Sequence, residues 1–116
     1  MTTWIATLAL AFSTLAAQNI GIQFHNDPDP LRVGPNKFQV LVTDPAGKRV
    51  HDATVQLQIS RTAEPHMRRT IGLKYYGNGI YRGAGEMTRS GDWTIIAIVR
   101  RGGEVIGTRS LSVTVR

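Results

Sequence analysis

With 116 residues and 41% hydrophobic content, the chain has material for one domain with a single core. Its 14 Lys and Arg against 8 Asp and Glu leave a formal charge of +6 with neutral histidines, so anionic partners come into view. The only adjacent basic pairs are Lys48-Arg49, Arg68-Arg69 and Arg100-Arg101, which excludes a basic nucleic-acid tail, and the absence of cysteine removes disulfides, thiolate catalysis and the common zinc and iron–sulfur ligand sets.

The opening MTTWIATLALAFSTLAAQN carries no charged side chain, and from Trp4 to Ala17 it is apolar or small. That run suits the hydrophobic region of a signal peptide and is short for a membrane span of about 20 residues. Residues 1–17 are therefore expected to be a signal peptide or short membrane anchor, although no Lys or Arg precedes the run. Cleavage after Ala16 would place Thr14 and Ala16 at the positions that signal peptidase reads. The alternative is a buried helix of a cytoplasmic domain. Residues 18–116 then form one domain, periplasmic or otherwise extracytoplasmic.

After Gln18 the pattern is short strands separated by turn residues. Residues 19–25 alternate Ile20, Ile22 and Phe24 with small or polar neighbours and stop at NDPDP, where two prolines oppose pairing. VGPN (33–36) reads as a turn before a strand at 37–43. DPAG (44–47) combines an Asp that bonds the backbone ahead, a Pro that fixes φ and a Gly that accepts positive φ. Residues 53–60 show the cleanest alternation, with Ala53, Val55, Leu57 and Ile59 inward and Thr54, Gln56, Gln58 and Ser60 outward. Strands at 70–76 and 80–86 flank the GNG turn. Residues 93–101 are apolar on both faces, as in a strand with neighbours on each side, and Gly102-Gly103 predicts a type I′ hairpin into 104–115. Trp93, opening that strand, is expected to anchor the core. The sum is an all-β, immunoglobulin-like sandwich of about seven strands.

In this order, the stretches DPDPLRVGPNKFQVLVTDPAGKRVHDATVQLQI and GNGIYRGAGEMTRSGDWTIIAIVRRGGE resemble the YtkA-like and FixH-type family of small bacterial β-sandwich domains. Gly34, Pro35, Asn36, Gly47, Val50, Asp52, Ala53, Val55, Gly79, Tyr81, Gly91 and Trp93 carry the likeness, over about residues 27–116. The resemblance implies an exported or membrane-anchored domain. It also implies a setting near copper transport or cytochrome oxidase assembly, with a membrane protein as partner.

Thioether and imidazole suit Cu(I), so His66 and Met67 in ISRTAEPHMRRT are candidate copper ligands. The resemblance adds Met87, aligned with a methionine that precedes the family's Gly and Trp. His25 and His51 are further candidates. Family members carry several methionines in the loop where this chain has AEPHMRR, and Arg68 and Arg69 oppose a bound cation unless Glu64 offsets them. The competing reading is a plain connecting loop, with Met67 filling space and His66 solvated.

No catalytic constellation stands out. Ser60, Ser90 and Ser110 lack a nucleophile elbow, Asp27 and Asp29 belong to a turn, and GAGEMTRSG has neither Lys-Ser nor Lys-Thr nor a following helix. Arg82 beside Tyr81 and Lys74 beside Tyr75 only faintly suggest a nucleic-acid surface, which is not expected in an exported domain. The expectation is a non-catalytic accessory or interaction module with no cofactor other than copper. Its contact surface is a sheet edge or the outward Gln56 and Gln58 face, supplemented by basic contacts to a membrane surface. The alternatives are a copper carrier using His66, Met67 and Met87, or a purely structural immunoglobulin-like domain.

Overall fold

The computed structural model describes residues 20–116, so the expected signal or anchor segment at 1–17 lies outside the described residues. Among the described residues no helix is long and apolar enough to cross a membrane. Seven strands follow one another: β1 (Gly21–Asp27), β2 (Gly34–Thr43), β3 (Thr54–Arg61), β4 (Arg69–Tyr75), β5 (Ile80–Met87), β6 (Gly91–Arg101) and β7 (Glu104–Val115). All neighbouring pairs are antiparallel.

The strand order is β1-β2-β5-β4-β3-β6-β7. Cut between β4 and β3, it is the order of the two sheets of an immunoglobulin constant-type sandwich. The two layers are nevertheless one continuous hydrogen-bonded sheet, because β4 serves both. Its Arg69–Leu73 portion pairs with β3, and Lys74 and Tyr75 pair with β5. The wrapped sheet nearly closes at the β1/β7 seam, where Arg109 Nη1 donates to the Ile22 carbonyl at 2.6 Å.

Alternation explains which face each strand buries. Phe38, Val40 and Val42 of β2, Val55, Leu57 and Ile59 of β3, and Trp93, Ile95, Ala97 and Val99 of β6 all point into one core. Each fully buried Val, Leu, Ile or Phe among them contributes about 1.5–3 kcal/mol relative to exposure. On β5 the inward positions are Tyr81, Gly83, Gly85 and Met87. The two glycines leave room for Leu73 and Ile71 of β4 to pack directly over the strand, and a Cβ at either would collide with them.

Three polar side chains in or at the edge of this core tie backbone together. The Tyr81 hydroxyl donates to the Val50 carbonyl at 3.0 Å and accepts from the Ala53 N–H at 3.3 Å, pinning the β2–β3 connection to β5. Burial pushes the Tyr81 phenol above its ordinary pKa of 10.0, because the anion would be desolvated there. Asn36 accepts from the Arg32 N–H and donates to the Arg32 and Gly34 carbonyls, closing the loop ahead of β2. The Trp93 indole donates to the Arg89 carbonyl at 2.9 Å, so the expected anchor is 4% exposed and fully satisfied.

The expected strands appear within a few residues of their predicted bounds. Gly102 and Gly103 both have positive φ and join Arg101 to its register partner Glu104, as a type I′ hairpin requires. Three details differ. β1 continues through Asn26 and Asp27, and β2 begins at Gly34, because those residues find register partners in β2 and β5. Ser60, expected outward, is buried; its end of β3 is flanked by β6, where the Thr62 hydroxyl lies 3.2 Å from that of Thr94. Leu31 is 2% exposed in a connection that reads as a plain turn, held there by Arg116, whose N–H donates to the Leu31 carbonyl.

Candidate functional site

The β3–β4 connection, residues 62–68, is two successive turns. The Glu64 N–H donates to the Arg61 carbonyl at 2.9 Å, and the Met67 N–H donates to the Glu64 carbonyl at 3.0 Å. His66 and Met67 project from the second turn into solvent, Met67 with 63% of its surface exposed. The Glu64 carboxylate is taken by Arg61 at 2.8 Å, so it is not free to offset Arg68 and Arg69. Arg69 reaches the Glu86 carbonyl, which fixes the loop beside the end of β5.

Met87 lies next to Glu86, yet its side chain is wholly inside the core. The three candidate ligands thus share one end of the molecule while two face water and the third faces inward. Coordination by all three requires the turn to fold over the end of β5 or Met87 to leave the core. His25 sits on the outer face of β1, and His51 is exposed between β2 and β3. Among the described residues no three His, Asp or Glu side chains converge as metal ligands.

A second place concentrates chemistry. The outer face of β1-β2-β5-β4 forms an open cleft of about 840 Å³. The registers align His25 with Gln39, Gln39 with Arg82, and Arg82 with Lys74, giving one row of side chains across four strands. Directly opposed residues of this kind stand about 4.5–5.5 Å apart at Cβ. Arg82 is held in place from two sides: its Nε donates to Gln39 Oε1 at 3.0 Å, and its guanidinium carbon lies 5.2 Å from the centroid of the Tyr76 ring. Lys37 stands one row away, opposite Asp27, and Asp29 lies at that end of the cleft. The described residues hold two ion pairs, Arg61–Glu64 and Arg101–Asp52, and neither includes a cation of the cleft.

The cleft escapes a strand-by-strand reading because its members come from four strands far apart in sequence. Each is an outward residue in an alternating run, and the pairing of Arg82 with Tyr81 and of Lys74 with Tyr75, which faintly suggested a nucleic-acid surface, is the other signal that touched it.

Outward residues of β3 and β6 behave differently. Gln56 Oε1 accepts from Arg100 Nη1 at 2.6 Å and Gln58 Oε1 from Arg68 Nη1 at 3.4 Å. Ile98, an outward residue and the register partner of Gln56, is only 9% exposed.

Architecture and surface together define a small, single-core, all-β domain whose polar chemistry is carried on the outside of a nearly closed sheet. The family model described as YtkA-like matches residues 14–97, and the chain belongs to that family. No curated protein matches the chain. Among solved structures, the soluble domain of PmoD from Methylocystis sp. (Rockwell) is similar with a TM-score of 0.53 at 17% identity, over 84% of this chain and 90% of that one. An engineered protein is similar with a TM-score of 0.51 at 17% identity, over 82% of this chain and 20% of that one. At that identity the likeness is one of fold.

Proposed function

We propose that this domain is a non-catalytic accessory module, exported or membrane-anchored, that works by meeting a partner protein at the outer surface of its sheet. The observation that carries this reading is the division of polar groups. Tyr81, Asn36 and Trp93 use theirs to tie backbone inside the domain, whereas His25, Lys37, Lys74 and Arg82 gather on one outer face. The uncharged, apolar start of the chain supports export, and family membership supports a setting near metal transport or oxidase assembly.

Photo-crosslinking residues placed singly at Lys74 and at Gln58 in the full chain, in the native host, test the reading. It expects one discrete protein adduct from at least one face; no adduct from either contradicts it. Mass spectrometry of the purified protein tests export, with a start at Ala17 expected and an intact Met1 in a cytoplasmic protein contradicting it.

A copper-carrier role is the second reading, favoured by the exposure of Met67 beside His66 on a tethered turn. Titration with Cu(I) against a competing chelator expects uptake that falls in Met67→Ala and His66→Ala. Uptake that neither substitution changes removes the loop as the site.

A further inference from the structure

We infer that the cleft on the outer face of β1-β2-β5-β4 is a docking groove for an extended, acidic segment of a partner protein, with Arg82 and Lys74 as its anchoring cations. This inference rests on the interaction-module reading and names the surface and the chemistry of what it meets.

The first support is the arrangement of charge. Arg82 and Lys74 are register partners across β5 and β4, so two like charges face each other directly, an arrangement that works against the sheet. Lys37 adds a third cation one row away and forms no ion pair among the described residues, although Asp27 is its register partner. An anion laid across this cluster would relieve it.

The second support is preorganisation. Gln39 and the Tyr76 ring fix the Arg82 guanidinium through Nε and the ring face, and among the described residues neither terminal nitrogen has a hydrogen-bond partner. A planar fork held in this way takes a carboxylate in two parallel hydrogen bonds with little ordering cost. Tyr76, 62% exposed beside it, offers an apolar wall to the neighbouring residue of a bound segment.

Charge selects the occupant. The cations line an open concavity that crosses four strands, and an extended chain bearing carboxylates can lay its anions along that row. Asp27 and Asp29 at one end set a polarity. The acidic residues of the segment lie over Arg82 and Lys74, and its other end is neutral or basic.

Fluorescence anisotropy on the full chain tests this with a labelled decapeptide alternating Glu and Ser, at several salt concentrations. The wild type is expected to bind, more weakly as added salt shortens the screening length from about 10 Å at 0.1 M to about 3 Å at 1 M. The double variant Arg82→Gln/Lys74→Gln is expected to lose at least tenfold in affinity, Arg68→Gln/Arg100→Gln to lose little, and Asp29→Asn to bind more tightly. Absence of binding, or equal losses in the two double variants, which carry the same net charge, overturns the groove. Phosphatidylglycerol vesicles that depend on Arg82 and Lys74 when the peptide does not would assign the cations to a membrane surface instead. A partner crosslinked from Gln58 with no peptide binding keeps the module reading and removes the groove.

Discussion

The two outer faces of this wrapped sheet use long polar side chains in opposite ways. On the β3/β6 side, Arg100 of β6 and Arg68 of the β3–β4 connection donate to the amides of Gln56 and Gln58, and Ile98 on the same face is 9% exposed. Those cations bond to side chains of the domain itself. On β1-β2-β5-β4, Arg82 is fixed opposite Lys74 with Lys37 nearby, around an open cleft and without an ion pair among the described residues. The difference teaches that a net charge of +6 says little until the strand order shows which cations meet.

The contrast between inward and outward chemistry can be broken first at the methionines. Met87→Ala is expected to destabilise the domain by about 2–5 kcal/mol, as other large-to-small core substitutions do, and Met67→Ala to stay within about 0.5 kcal/mol. Chemical denaturation of both variants reads this, and similar costs for the two would place Met67 in the packing or Met87 at the surface.

Tyr81→Phe is expected to cost about 1–3 kcal/mol, because it leaves the Ala53 N–H and the Val50 carbonyl without their shared partner. It also carries a pH signature. Since the folded phenol titrates above 10.0, its contribution is fully present below that pH and is lost as pH rises from there through the raised folded value. Above pH 10 wild-type stability should therefore fall more steeply than that of Tyr81→Phe; parallel curves would mean that the phenol is not desolvated.

Smaller effects separate the two faces. Arg100→Gln removes a charge-assisted bond from a half-buried pair and should destabilise by about 0.5–1 kcal/mol, allowing for solvent screening.

Much of this architecture is legible in the sequence, and the reason is local. Val55, Leu57 and Ile59 announce their strand by alternation, and Gly102-Gly103 announces its hairpin by the backbone angles that only glycine adopts freely. What is not legible depends on pairing across the sheet. Nothing in residues 69–75 tells that β4 will leave β3 for β5 between Leu73 and Lys74. The strand at 80–86 is legible, but the reason for Gly83 and Gly85 within it is not until Leu73 and Ile71 are seen packed over them. For the candidate site, the turn around His66 and Met67 was readable from its composition. The inward aim of Met87 was readable too, since alternation from Tyr81 carries through Gly83 and Gly85 to Met87. The row His25, Gln39, Arg82 and Lys74 was not, because register is a property of four strands and not of one.

The central claim is that the cations of the cleft serve recognition at some expense to the fold, and Lys74→Gln tests it in one protein with two readouts. Relieving the opposed pair with Arg82 should leave stability unchanged or raise it by about 0.2–1 kcal/mol, while affinity for the acidic decapeptide falls several-fold. A variant that loses stability and keeps its affinity would show Lys74 to be part of the scaffold and would contradict the account.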